Sequence, residues 1–138
     1  MLQLAYLGPP GTFSEEAARS YRQRHHKNGR VELVPVRSIA DLLLAVDRQH
    51  FDEGIVPVEN SIEGPVVLTL DMLVHEVKLQ IVAEEVVPIR HCLLTRPEWR
   101  IDDIQRVISH PQALAQCRRH LSQLVPTAEL QAASSTAE

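Results

Sequence analysis

The sequence predicts an α/β protein organised on a parallel sheet, and three observations lead there. Short apolar runs recur at residues 4–7, 31–36 and 54–58, each bounded by Gly, Pro or Ser, as buried strands are. Between them lie segments with apolar residues at helical spacing: Ala17, Ala18 and Tyr21 in the first, Ile39, Leu42, Leu43 and Val46 in the second. A capping residue precedes each segment, Thr12 and then Ser38. The order strand, helix, strand, helix, strand is that of a parallel sheet with crossover helices.

The elements follow in order. Residues 4–7 run into Gly8-Pro9-Pro10-Gly11, which predicts a buried strand ending in a tight loop. Thr12 with Glu15 three positions on has the spacing of a capping box, and Asn28-Gly29 closes that helical segment. The second strand ends before Ser38, with Asp41 at the third position of the helix it caps. Pro57 marks the third strand as an edge or a strand end, since proline cannot donate to a ladder. Residues 66–74 predict a helix with Pro65 in its first turn. Residues 79–94, rich in Val and Ile around Pro88, predict two strands or one long strand crossing between lobes. Residues 106–109 predict a strand, Pro111 opens a helix through Leu124, and residues 128–132 predict a last strand. Residues 134–138 carry capping residues and an acid without a helix body, which predicts a chain cut short.

Composition narrows the function classes. Of 138 residues 44% are hydrophobic and 23% charged, the balance of a globular rather than a disordered protein. The net charge of -4 and the scattered basic residues argue against nucleic acid as a partner. The densest basic stretch, residues 22–30, reads as a solvated helix end. No apolar run approaches the roughly 18 to 20 residues that cross a bilayer, and the first residues lack the basic region of a signal peptide. Cys92 and Cys117 have no metal-ligand spacing and predict free buried thiols, hence a cytoplasmic protein. Neither metal nor organic cofactor is suggested.

Three strand-to-helix junctions share one design: residues 8–14, 59–65 and 109–111. In an open α/β sheet such junctions lie at the carboxyl edge, where ligands bind. A helix start offers backbone N–H groups and a partial positive charge, so converging starts suit a small anion with more than one carboxylate. Ordinary well-capped connections would look the same. Glu59-Asn60-Ser61 ends an apolar strand with a carboxylate, an amide and a hydroxyl, groups that orient a substrate hydroxyl and exchange protons. The plainer alternative is an Asn or Ser cap for the next helix, beside a solvated Glu59. Ser109-His110-Pro111-Gln112 with Gln116 puts two amides on one helix face. His110 is then an acid–base group or a substrate hydrogen-bond donor, or else packs on its loop and satisfies backbone carbonyls.

Three stretches together resemble the prephenate dehydratase family: Tyr6-Leu7-Gly8-Pro9-Pro10-Gly11-Thr12-Phe13-Ser14, Pro57-Val58-Glu59-Asn60-Ser61-Ile62-Glu63-Gly64, and Ser109-His110-Pro111-Gln112-Ala113-Leu114-Ala115-Gln116-Cys117. The resemblance runs along the whole chain. It implies an α/β, two-lobed, type 2 periplasmic-binding-protein-like fold, incomplete at the C-terminus, with a first lobe over residues 1–75 and a second, truncated one over 76–138. It implies an active site in the cleft: Glu59 and Asn60 catalytic, with Thr12, Phe13, Ser14, Ser61, Ser109, His110, Gln112 and Gln116 holding substrate. The activity implied is decarboxylating dehydration of prephenate to phenylpyruvate in L-phenylalanine biosynthesis, without cofactor or metal, by a homo-oligomer in the full-length protein. The alternatives are an arogenate dehydratase and a non-catalytic module that binds a small carboxylate. The family's Thr-Arg-Phe motif, which holds its leading candidate for the proton donor, and its ACT regulatory domain are expected beyond residue 138. The pair Thr95-Arg96 is followed by Pro97 and does not replace that motif. The 138 residues alone are therefore expected to have little or no activity.

Overall fold

The computed structural model describes residues 1–134, and the expected helix start at 134–138 lies almost wholly outside them. The chain forms two compact units, Met1–Pro88 and Ile89–Glu138. The division falls later than the lobe boundary placed after residue 75.

In the first unit, β1 (Leu2–Leu7), α1 (Phe13–His25), β2 (Val31–Val36), α2 (Ile39–Asp47) and β3 (Glu53–Ile55) follow in the expected order. The sheet order is β2-β1-β3, all parallel. Pairing moves one way from β1 to β2 and the other way to β3. Right-handed crossovers then put α1 and α2 on opposite faces of the sheet. Side-chain alternation along β1 serves both faces. Leu4 and Tyr6 pack with Ala18 and Tyr21 of α1. Ala5, fully buried, pairs in register with Gly54 on the α2 face. A Cβ at Gly54 would lie 2.6 Å from Leu42 Cδ2 and 2.9 Å from Val46 Cγ2, so glycine sets how closely α2 approaches. Burying Leu4 and Leu42 contributes roughly 1.5–3 kcal/mol each.

The later elements of this unit depart from expectation. β3 is an edge strand but ends at Ile55 rather than running through Val58, because Pro57 turns its carbonyl to a helix instead of a ladder. Pro65 lies not in a helix but in β5 (Gly64–Pro65), paired antiparallel with β4 (Glu59–Asn60). The expected helix is a short α3 (Val67–Asp71) continued by a π-helical turn, Met72–Glu76. Met72 and Val77 pack with Leu43 of α2.

Residues 79–94 are the clearest correction, for no strand forms there. Residues 83–87 do alternate between half-buried and exposed, and Ala83 joins the core beside α1. The burial there is that of extended backbone, but no neighbouring strand completes a ladder among the described residues, and Ile81, Val82 and Val86 stay exposed.

The second unit contains a 3-10 turn (Ile101–Asp103), β6 (Arg106–Ser109), α4 (Pro111–Leu124) and β7 (Glu129–Ala132), with β6 and β7 parallel. Its core is Ile104, Val107, Leu114, Leu121 and Val125, with Leu93 and Cys117 packed against it. Cys117 is half-buried and Cys92 exposed, so the thiols are free but not buried as expected. Among the described residues no helix is long and apolar enough to cross a membrane.

Candidate active site

Two of the three junctions share one sheet edge. β1 and β3 are adjacent strands, and their carboxyl ends lead into residues 8–14 and 56–60 respectively. The winding direction reverses at this pair, and in open α/β sheets a crevice opens at such a reversal. The third junction, Ser109 to Pro111, ends β6 in the other unit.

At the first junction the backbone is tightly placed. Gly8 N donates to the Val36 carbonyl at 2.8 Å, one step past the β1–β2 ladder. A Cβ on Gly8 would stand 3.1 Å from Pro35 Cβ. The Gly8–Pro9 peptide is cis, and Gly11 adopts φ +87°, a conformation open to glycine. Thr12 caps α1: its Oγ1 accepts from Glu15 N and donates to the Leu7 carbonyl, both at 3.4 Å. The expected capping box forms in altered shape. Glu15 Oε2 reaches Gly11 N at 2.6 Å, one residue before the cap. That N–H, followed by the Arg19 guanidinium, holds the Glu15 carboxyl below its ordinary value. Thr12, Phe13 and Ser14 are half-buried at this start. On β1, burial, then Glu15, pushes the Tyr6 phenol up, so it keeps its proton at neutral pH.

At the second junction Asn60 Oδ1 accepts from Ile62 N at 2.9 Å and Glu63 N at 3.4 Å. The amide caps its own turn, between β4 and β5, and not the next helix as the plainer alternative held, since α3 starts at Val67 with no side-chain cap. Glu59 and Ser61 are exposed and Asn60 half-buried. Gly64 closes the turn at φ +85° with open space where a Cβ would stand, so backbone conformation rather than crowding requires glycine.

One residue overlooked in the sequence positions this segment. Thr69, fully buried on α3, donates from Oγ1 to the Pro57 carbonyl at 2.8 Å. Val66 N adds a bond to the Val58 carbonyl at 2.8 Å. Glu59 and Asn60 therefore follow directly on a stretch tied to α3. The available signal was a lone hydroxyl within the apolar residues 66–70.

At the third junction His110 caps α4 through its ring: Nδ1 accepts from Gln112 N at 3.3 Å. It satisfies a backbone N–H, not the carbonyls the plain reading had it serve, and a neutral ring then carries its proton on Nε2. Ser109 is half-buried, and its carbonyl accepts from Ala133 N at 2.8 Å. Gln112 Nε2 is buried without a hydrogen-bond partner. Exposed Gln116 meets His91 Nε2 through Oε1 at 3.3 Å, and nothing in the sequence pointed to His91. Among the described residues no group of His, Cys, Asp or Glu could hold a metal ion.

The fold and these junctions define an α/β protein with capped helix starts at strand ends, of the kind that takes small anions. The sequence model of the family described as prephenate dehydratase matches residues 4–138. A prephenate dehydratase of Amycolatopsis methanolica is 44% identical over 99% of this chain and 43% of its own length. Arogenate dehydratase 5 of Arabidopsis thaliana is 40% identical over 99% of this chain and 30% of its own. The crystal structure of prephenate dehydratase from Arthrobacter aurescens in complex with L-Phe superposes with a TM-score of 0.86 at 33% identity, covering 99% of this chain and 44% of that one. The chain belongs to the prephenate dehydratase family and has its type 2 periplasmic-binding-protein-like α/β fold over the part it spans. It spans less than half the length of these relatives.

Proposed function

We propose that this protein acts as a prephenate dehydratase, a carbon–oxygen lyase of L-phenylalanine biosynthesis. The observation that carries the reading is the family match over residues 4–138, which takes in all three junction motifs. In the reaction the ring C–O and ring C–carboxylate bonds break together. The electron pair of the lost carboxylate enters the ring, the leaving hydroxyl takes a proton, and phenylpyruvate, water and carbon dioxide result. Aromatisation drives the step, so the protein's task is to orient a dianion and supply a proton.

In this reading Glu59 and Asn60 act at the departing hydroxyl. Thr12, Phe13, Ser14, Ser61, Ser109, His110, Gln112 and Gln116 hold the substrate, and no metal or cofactor takes part. The helix start at His110, with no acid in its first turn, is suited to a carboxylate by its dipole. Unpaired cysteines go with a cytoplasmic enzyme, and the full-length protein is taken as a homo-oligomer.

The test is kinetic, on a full-length protein carrying these residues. Glu59→Ala and Asn60→Ala are expected to lower kcat by about a hundredfold or more, with substrate binding changed far less. If both variants only weaken binding, the protein is a carboxylate-binding module and the proposal fails. The 138 residues assayed alone are expected to show little or no turnover beside a chain extended through a Thr-Arg-Phe motif. Relatives named arogenate dehydratase support a second reading with the same chemistry on the aminated substrate. Comparing kcat/KM for prephenate and arogenate separates the two.

A further inference from the structure

We propose that the first unit carries a separate binding site for a small multivalent anion of the phosphate class, built from Arg22, Lys27 and Arg30. A cavity of about 570 Å³ lies where α1 ends and β2 begins, at the amino edge of the sheet. This is the opposite edge from the β1 and β3 junctions. Its lining includes Arg22, His26, Lys27 and Arg30, and none of its eight residues is acidic. In a chain of net charge -4 this is a local reversal of sign.

The pairing pattern on α1 sharpens the point. Arg19 holds Glu15 at 2.5 Å, and Arg24 holds Glu85, which is itself buried. Arg22, Lys27 and Arg30 enter no ion pair among the described residues. The nearby carboxylate of Glu53 is engaged by His26 Nε2 at 2.9 Å. Complementing the helix dipole accounts for Arg22, which lies in the last turn. It does not account for Lys27 and Arg30, which lie beyond the helix end at His25. Two guanidinium groups and an ammonium around one concavity match phosphate oxygens, which guanidinium groups bind in pairs. The volume falls within the range of small-ligand sites.

The experiment is an NMR titration of the full-length protein with inorganic pyrophosphate, orthophosphate and ADP, following the backbone amides of Gly29 and Val31. Saturable shifts at both are expected, with pyrophosphate about tenfold tighter than orthophosphate because it reaches more of the cations. Tighter binding of ADP would name a nucleotide as the source of the phosphates, and equal or weaker binding an inorganic anion. The double variant Lys27→Gln/Arg30→Gln is expected to weaken pyrophosphate at least about tenfold while leaving thermal stability and turnover unchanged. The proposal is overturned by an absence of saturable shifts, by unchanged affinity in the double variant, or by shifts confined to Thr12–Ser14 and His110–Gln112.

Discussion

The helices α1 and α4 both begin at the carboxyl end of a strand, yet their starts are electrostatically unlike. The start of α1 is already occupied by the protein's own charge. Glu15 and Glu16 stand in its first turn, and Glu15 also binds Gly11 N. The start of α4 has no acid in its first turn, a histidine ring as cap, Pro111 inside it, and the buried, unpartnered amide nitrogen of Gln112 beside it. A helix N-terminus attracts anions only as far as its own side chains leave the dipole uncompensated. Sequence spacing makes the two junctions look equivalent. The charges around them leave the start of α4 uncompensated and that of α1 internally neutralised.

The largest expected effect is on that contrast. Gln112→Glu in the full-length protein puts a carboxylate in the first turn of α4. It is expected to weaken a dicarboxylate ligand by about tenfold or more, while the dipole's gain of about 0.3–1 kcal/mol is offset by the cost of burying the carboxylate. Calorimetric binding together with thermal unfolding reads both effects. Tighter binding would reverse the assignment of the two starts.

Next come the caps themselves. His110→Ala is expected to cost about 0.5–1 kcal/mol, with much of it recovered by His110→Asn, since asparagine supplies a side-chain acceptor at the same place. Thr12→Ala is expected to cost about 1 kcal/mol, and asparagine should restore less there because Oγ1 also donates to the Leu7 carbonyl. Equal recovery at both sites, measured by denaturant unfolding, would show that the two caps do the same job.

The smallest effect is a pH dependence confined to α1. The folded-state carboxyl of Glu15 lies below its ordinary 4.5, held there by Gly11 N–H and then by Arg19. A depressed carboxyl contributes stability that is complete above the unfolded value and is lost as pH falls through the folded one. Glu15→Gln is therefore expected to lower Tm slightly at pH 7, with the difference from wild type fading below about pH 4. A difference that grew with acidity would contradict the bond to Gly11.

Much of the first unit was legible because its signals are local. Ser38 accepts from Asp41 N at 3.1 Å, as its spacing from Asp41 suggests, and the apolar positions of α1 and α2 are the ones that pack. Residues 79–94 misled for the opposite reason. Their Val and Ile content is that of a strand, but a strand exists only when a neighbour supplies hydrogen bonds. Residues 66–74 misled more mildly, since apolar periodicity does not distinguish an α-turn from the π-helical turn that follows it.

By itself the sequence determined the family, the junctions after β1 and β6, and the caps at Thr12 and Ser38, all of which depend on residues within a few positions of one another. Tertiary structure alone decided which of the three junctions share an edge, because β1 and β3 become neighbours only when the winding reverses. It also decided that Gly54 admits α2 and that Thr69 ties down Pro57 ahead of Glu59, contacts between residues twelve apart at Thr69 and Pro57. The charge left uncompensated at each helix start belongs to this second class. The acids of a first turn can be read from sequence, but whether an amide nitrogen such as that of Gln112 finds a partner depends on what the fold packs around it.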